Sequence, residues 1–141
     1  MLSKGMPETF TTCTGKEFKT FFPPDRIFYK VLRISLIHHQ FQYKVGINID
    51  TKKFNPHGEC AEGGLYFCHI SDLPLYLDYG RCIAEIKILD DSLIYIEPNK
   101  YKANKFVIKS IVPFNIIIKQ IPTNYSEELI HRMVRTHLHC T

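Results

Sequence analysis

A loop broken by proline and glycine leads directly into a short apolar run, and this junction constrains the fold more than any other part of the chain. The loop, residues 55–64, ends in two adjacent glycines, Gly63 and Gly64, and the run Leu-Tyr-Phe-Cys follows at residues 65–68. Adjacent glycines allow a positive φ and a close approach of the backbone to its surroundings. An apolar run entered from such a bend predicts a short buried strand that starts where the loop ends.

Segments with alternating apolar residues surround this junction. Residues 27–33 carry β-forming side chains on both faces, which predicts a strand that is covered on each side. Residues 41–45 alternate as a half-buried strand that ends at Gly46, and residues 47–49 extend it beyond a bulge. Further strands are predicted at residues 82–89, 93–97, 106–108 and 115–119.

Two helices complete the predicted fold. Ser71 is placed to cap a short helix over residues 72–79, and Gly80 is placed to end it. Ser126, followed by two glutamates, begins a C-terminal helix whose apolar residues share one face. The pattern predicts an α+β fold, with a curved mixed or antiparallel sheet, one short helix after Ser71 and a C-terminal amphipathic helix.

Length and composition predict one folded domain. The chain has 141 residues, of which 45% are hydrophobic, and residues 1–24 show little periodicity, so we expect an irregular lead-in at 1–24 and a single domain at 25–141. The net charge of +4 is spread along the sequence, and neither a bilayer-length apolar run nor a signal peptide is found. Five widely spaced cysteines favour reduced thiols. These features predict an intracellular protein with no membrane partner.

The loop and the strand after it contain the residues best suited to catalysis, metal binding or partner binding. Nucleophilic catalysis by Cys60 would need His57 as its base, but no cysteine-hydrolase signature surrounds the pair. The Cys-x2-Cys and His-x3-His spacings of tetrahedral metal sites are absent, so we predict neither a metal nor another cofactor. The side chains that could ligate a metal are His57, Cys60, Cys68 and His69. The candidate binding residues are His57, Cys60, Gly63, Gly64 and Tyr66.

Basic residues interleaved with Tyr and Phe raise a nucleic-acid interface as an alternative. Sheets that bind single strands stack bases on aromatic rings and track the backbone with cations. No RNP-like signature is present, and aromatic residues of a half-buried sheet more often belong to the core, so a protein partner is favoured. The basic residues concerned are Lys30, Arg33, Lys44, Lys52, Lys53, Lys100, Lys102, Lys105 and Lys109.

A set of ordered motifs resembles the N-terminal module that precedes the repeats in ankyrin-repeat proteins of Mimivirus-like giant DNA viruses. The resemblance covers residues 29–108, and no ankyrin signature follows it. It implies a free-standing version of the module, encoded by such a virus or by an associated mobile element. The motifs are FQYKVG at residues 41–46, FNPHGEC at 54–60, GGLYF at 63–67, LDYG at 77–80 and IAEI at 83–86.

A second resemblance concerns ADP-ribosyltransferase folds. The run GLYF at residues 64–67, a helix ending at Gly80 and a strand containing Glu85 are similar to the strands and helix around the nicotinamide pocket of that fold. The resemblance implies that Tyr66 stacks on the ligand and that Tyr66 and Glu85 are candidate catalytic residues. The first strand lacks the His-Gly or Arg motif that holds the cofactor, which favours a degenerate, non-catalytic relative.

Together, the sequence predicts a non-catalytic protein-interaction module whose partner is a host or viral protein. The resemblance implies that it acts in the cytoplasm or viral factory of an infected cell, or in the virion. A homodimer formed through an uncovered strand edge or through the C-terminal helix is an open alternative.

Overall fold

Short antiparallel strands make up most of the chain that the structure describes. The computed structural model describes residues 6–58 and 61–112. Two helices lie in this part, the short α1 (Gly15–Lys19) and a 3₁₀ helix (Ile70–Tyr79). The strands are β1 (Thr12–Thr14), β2 (Phe28–Leu32), β3 (Ile37–His38), β4 (Phe41–Gln42), β5 (Gly46–Ile49), β6 (Leu65–Phe67), β7 (Cys82–Lys87), β8 (Leu93–Glu97), β9 (Lys100–Ala103) and β10 (Lys105–Val112).

The strands form two four-stranded sheets and a small hairpin. The first sheet has the order β1-β8-β9-β6 and the second has the order β2-β7-β10-β5, while β3 pairs only with β4. Every strand pairing in the described residues is antiparallel. An isolated bridge between Tyr29 and Cys68, with hydrogen bonds of 2.9 and 2.8 Å, joins β2 to the residue that follows β6. The two sheets therefore meet where β6 ends.

The second sheet is covered on both of its faces at β2 and β7. On one face, Phe28 and Ile86 belong to a core that also contains Phe67 and Ile94 of the first sheet. On the other face, a smaller cluster packs under the 3₁₀ helix and contains Tyr29, Val31, Cys68, Leu73, Leu77, Ile83 and Val112. The prediction that residues 27–33 form a strand covered on each side is confirmed, because all five residues of β2 are buried.

The first 24 residues contain regular structure where the sequence predicted an irregular lead-in. Thr14 caps α1 by accepting a hydrogen bond from the Glu17 amide at 3.1 Å, and the Glu17 carboxylate accepts one from the Thr14 amide at 3.0 Å. This reciprocal capping box stabilises a helix of only five residues. The helix places Phe18, which has no exposed surface, in the main core.

The helix predicted after Ser71 begins earlier than expected. It starts at Ile70 and is capped by His69, whose Nδ1 accepts a hydrogen bond from the Ser71 amide at 3.1 Å. The guanidinium of Arg26 contacts the Nε2 side of the same imidazole, so the ring is held from both sides. The predicted cap at Ser71 was therefore wrong by two positions, because an imidazole nitrogen took the place of a hydroxyl oxygen.

The strand predicted over residues 41–45 is shorter in the structure. β4 ends at Gln42, and the next strand starts at Gly46. The buried side chain of Asn48 explains the break: its Oδ1 accepts from the Lys44 amide at 2.9 Å, and its Nδ2 donates to the carbonyls of Lys44 and Gly46. These bonds fix the connection at residues 43–45, which lies between β4 and β5 and is not part of a ladder. The predicted strand at 115–119 and the predicted C-terminal helix lie outside the described residues.

Candidate functional site

The loop of residues 55–64 is held from below by a buried lysine. Lys102 lies on β9 and has no exposed surface. Its Nζ donates hydrogen bonds to the carbonyls of Asn55 at 2.9 Å, His57 at 3.0 Å and Ala61 at 2.8 Å. An ammonium group has three N–H donors, and these three carbonyls match them one to one. The described parts of the loop, residues 55–58 and 61–64, are therefore folded around the buried ammonium of Lys102.

The two glycines at the end of the loop allow it to close on Lys102. Gly63 and Gly64 have φ values of +95° and +140°, which side chains rarely adopt. A Cβ at Gly64 would also stand 2.5 Å from the Cγ of Lys102. The Gly64 amide donates to the Asp50 Oδ2 at 2.6 Å, and the Asn55 amide donates to the Gly63 carbonyl at 2.8 Å. Backbone shape and the lysine thus fix the same bend.

Tyr66 lines a cavity of about 340 Å³. The Nζ atoms of Lys100 and Lys102 stand 4.4 and 5.5 Å from the centre of the Tyr66 ring, within the range of cation–π contacts. The cavity, called the aromatic cavity below, is lined by Tyr29, Lys30, Val31, Arg33, His38, His39, Tyr66, Phe67, Cys68, Tyr76, Tyr79 and Lys100.

Lys30 forms part of the wall of this cavity from a buried position on β2. Its Nζ donates to the Tyr66 carbonyl at 2.8 Å and stands 5.0 Å from the Tyr43 ring centre. Burial of the ammonium lowers the pKa of Lys30 to about 8, with the nearby Lys100 acting in the same direction and Cys68 opposing it. Lys30 is therefore a cation held in a place that disfavours its charge.

A second cavity of about 230 Å³ lies against the bend itself. It shares Lys30, His38, His39 and Tyr66 with the aromatic cavity, so these four residues form the wall between the two. The β3–β4 hairpin supplies both histidines, and the His38 ring stacks on Tyr79 of the 3₁₀ helix with centroids 6.2 Å apart. The other lining residues are Gln40, Phe41, Tyr43, Asp50, Thr51, Lys52, Ala61, Glu62, Gly63, Gly64 and Leu65.

The structure brings together three of the five predicted binding residues. Gly63, Gly64 and Tyr66 all line the second cavity. His57 has an exposed side chain and contributes its carbonyl to Lys102. Cys60 lies outside the described residues. These three residues are close in sequence, whereas the lining residues on β2, β3 and the 3₁₀ helix were not predicted as a cluster with them. A binding role for the three residues stays a prediction.

The predicted metal ligands Cys68 and His69 take part in packing and hydrogen bonding within the fold. Cys68 lies in the smaller core, and burial next to Asp72 raises the pKa of its thiol. The two ring nitrogens of His69 are engaged by Arg26 and Ser71, and burial beside Arg26 lowers the pKa of the imidazole. Within residues 6–58 and 61–112, no group of three or more His, Cys, Asp or Glu side chains is placed to hold a metal ion.

The residues suggested by the ADP-ribosyltransferase resemblance do not share a cavity. Tyr66 lines both cavities, whereas Glu85 lies on β7 opposite Tyr29 and is not among the lining residues of either. Two lysines of the predicted basic set, Lys30 and Lys102, are buried instead of exposed. The sequence did not predict this burial. Each lysine has a long apolar stem and lies in a short strand, and neither feature shows that the charge is directed inward.

Comparison with known proteins places the chain near proteins of Acanthamoeba polyphaga mimivirus. It is 31% identical over 90 residues to a protein described as an ankyrin repeat protein, covering 59% of this chain and 45% of the relative. It is 35% identical over 69 residues to an uncharacterized protein of the same virus, covering 48% and 50%. A second protein described as an ankyrin repeat protein is 33% identical over 92 residues, covering 59% and 15%. The predicted resemblance to ankyrin-repeat proteins of Mimivirus-like viruses is confirmed.

The chain spans half or less of the length of these relatives. No protein-family profile and no solved structure matches it. In the part of the chain that the structure describes, every helix is too short or too polar to cross a bilayer.

Proposed function

We propose that this chain is a non-catalytic protein-interaction module of a giant virus, or of a mobile element associated with one. In this proposal the partner docks on the face formed by residues 55–58, residues 61–64 and Tyr66. The mimivirus relatives described as ankyrin repeat proteins support the proposal, because repeats of this kind present extended binding surfaces and the chain matches only part of each relative. The partner is a host or viral protein, met in the infected cell or in the virion.

The single observation that carries this proposal is the fixation of the loop by Lys102. A loop that is ordered before binding loses less conformational entropy when a partner docks on it. Here three carbonyls of the loop are bound by one buried ammonium, and the exposed side chain of His57 is left on the outer surface. Rigidly framed loops of this kind often carry binding residues.

A capture experiment with matched variants tests the proposal. Tagged wild-type protein is used to capture partners from amoeba cells infected with a mimivirus, next to His57→Ala, Tyr66→Ala and the control Phe10→Ala. Phe10 is 66% exposed and lines neither cavity, so its loss removes a surface aromatic residue elsewhere. We expect one or more proteins to be retained by wild type and Phe10→Ala and lost from both face variants. Equal capture by all four proteins would reject this face.

Further arms of the same experiment separate the alternatives. Incubation with NAD and cell extract tests the ADP-ribosyltransferase alternative by NAD consumption and label transfer. A mobility shift with single-stranded oligonucleotides at low salt tests the nucleic-acid alternative, which requires strong salt dependence. Light scattering of the purified chain tests homodimerisation. Turnover of NAD, or salt-dependent oligonucleotide binding without protein capture, would replace the interaction-module proposal.

A further inference from the structure

Several basic side chains lie among the described residues that line the aromatic cavity. Lys30, Arg33 and Lys100 contribute three basic side chains, and His38 and His39 add two imidazoles. None of the described lining residues is an Asp or a Glu. A concave surface with charges of one sign and apolar walls concentrates the electrostatic field, so this cavity favours an anion.

Lys30 has hydrogen-bonding capacity to spare at the wall between the two cavities. Among the described residues its Nζ donates one hydrogen bond, to the Tyr66 carbonyl. Two of the three N–H donors of the ammonium therefore have no protein acceptor in that part of the chain. Buried donors without acceptors are costly, and an anionic oxygen in the cavity would satisfy them.

The imidazole of His38 lies in the same positive electrostatic environment. Burial lowers the pKa of His38 to about 4, and the nearby charges of Lys30, His39 and Arg33 all act in the same direction. The neutral imidazole keeps one nitrogen as a donor and one as an acceptor. The charges that hold this imidazole neutral come from β2, from the residue after β2 and from the hairpin, so they converge on one place.

Most of the remaining wall of the cavity is aromatic. Tyr29, Tyr66, Phe67, Tyr76 and Tyr79 all line it, and the rings of Tyr76 and Tyr79 stand 5.9 Å apart at an angle of 52°. Aromatic faces pack well against a flat ring. The volume of about 340 Å³ lies at the lower end of the range for small-molecule sites, roughly 300–1,000 Å³.

We propose that the aromatic cavity binds a small phosphate monoester that carries a planar ring. The phosphate lies against Lys30 and Arg33, and the ring packs among Tyr66, Tyr76 and Tyr79. A phosphate monoester carries nearly two negative charges at neutral pH and several acceptor oxygens, which suits a cluster of three basic side chains better than a single carboxylate does. The inference goes beyond the proposed function, because it gives the chemistry of a ligand. A free nucleotide and a phosphorylated tyrosine of a partner protein both have this chemistry.

Titration of the full chain with phenyl phosphate tests this inference without any protein partner. Isothermal calorimetry or NMR chemical shifts should show saturable binding of phenyl phosphate that is at least tenfold tighter than binding of inorganic phosphate or phenol. Lys30→Met should weaken phenyl phosphate at least tenfold, whereas Lys87→Met, at an exposed site on β7 outside both cavities, should leave it unchanged. Absence of saturable binding, equal affinity for inorganic phosphate, or an unaffected Lys30→Met protein would overturn the inference.

Two further probes identify the source of the ligand. Adenosine monophosphate represents free nucleotides, and a short alanine peptide with one phosphotyrosine represents a modified partner. The probe that binds more tightly and displaces phenyl phosphate identifies the class of ligand, either a free nucleotide or a phosphorylated partner. If neither probe displaces phenyl phosphate, the inference fails. Because these titrations need no partner, a failed capture experiment and a failed ligand titration can be told apart.

Discussion

At the scale of single residues, Lys30 is the clearest sign that this fold keeps a group for a purpose other than stability. A charged ammonium in a buried position disfavours folding unless it is well paired. Lys30 is 7% exposed and makes one hydrogen bond with the described residues, to the Tyr66 carbonyl. Natural proteins accept such local costs where a site needs the charge.

We predict that Lys30→Met stabilises the unliganded protein at neutral pH. Its pKa falls from 10.5 to about 8 on folding, a cost of roughly 3 kcal/mol while the ammonium is charged. Loss of the hydrogen bond to Tyr66 offsets about 1 kcal/mol. The free energy of unfolding, measured by urea titration at pH 7, should rise by about 1–2 kcal/mol.

The pH dependence gives this prediction a second test. Because the pKa of Lys30 is lower in the folded state, the unfolded chain binds more protons between about pH 8 and 10.5, and wild-type stability gains from rising pH in that window. Lys100 lowers this pKa and Cys68 raises it. The advantage of Lys30→Met should therefore be complete below pH 8 and disappear by pH 10.5, with Lys87→Met as the control. An advantage that stays constant over this range would contradict the assignment.

A second prediction at this scale concerns the glycines. Gly64→Ala introduces a Cβ at a φ of +140° and against the Lys102 side chain, whose ammonium is fixed by three carbonyls and cannot move aside. Gly46→Ala introduces the same strain at a φ of +103°, but nothing lies within 4 Å of the new atom. Urea unfolding should show a loss of about 1 kcal/mol for Gly46→Ala and about 2–3 kcal/mol for Gly64→Ala. Equal losses would show that the Lys102 side chain moves aside to accommodate the new Cβ.

At the scale of elements, the loop of residues 55–64 depends on β9 through one side chain. We predict that Lys102→Met loosens this loop, because it leaves the carbonyls of Asn55, His57 and Ala61 without their donor. Hydrogen exchange at the Asn55 and Gly64 amides should become at least tenfold faster, and stability should fall by about 2–4 kcal/mol.

Lys105→Met is the matched control for this prediction. Lys105 begins β10 and pairs with the exposed carboxylate of Asp91 at 2.6 Å. Exposed ion pairs contribute less than about 1 kcal/mol, so exchange in the loop should be unchanged. If both lysine variants accelerate exchange in the loop to the same extent, Lys102 does not organise it.

β2 was predicted as a buried strand because β-forming residues occur on both of its faces, and β7 because its alternate residues from Cys82 onward form one apolar face. Both strands contribute residues to the two cores. β9 was missed because its sequence, Lys-Tyr-Lys-Ala, alternates charge with apolar side chains. Burial of Lys102 depends on carbonyls more than forty residues away, which no local pattern encodes.

The candidate site was predictable only where it is contiguous in sequence. Gly63, Gly64 and Tyr66 lie within four residues, so their pattern was visible in the sequence. Lys30 and His38 join them because Tyr29 pairs with Cys68, which is a contact between distant segments. Long-range pairing of this kind is set by the global packing of the sheets and leaves no periodic signal.

At the scale of the whole molecule, the two sheets share a core to which the N-terminal segment also contributes. The ring of Phe18, on α1, stands 5.2 Å from Phe28 of the second sheet, 6.0 Å from Phe67 and 4.8 Å from Tyr101 of the first. A side chain in contact with both sheets stabilises their arrangement as well as its own helix. We therefore expect the folding unit to begin before β1, earlier than the boundary at residue 25 that the sequence predicted.

Substitution of Phe18 tests where this unit begins. Phe18→Ala leaves a void between the sheets and should lower the free energy of unfolding by about 3–5 kcal/mol in urea. Phe10→Ala, in the same segment but 66% exposed, should change it by less than about 0.5 kcal/mol. If Phe18→Ala does not fold, Phe18→Leu should still fold with a smaller loss, because leucine fills part of the space. A Phe18→Ala protein as stable as Phe10→Ala would place the N-terminal segment outside the core and restore the later boundary.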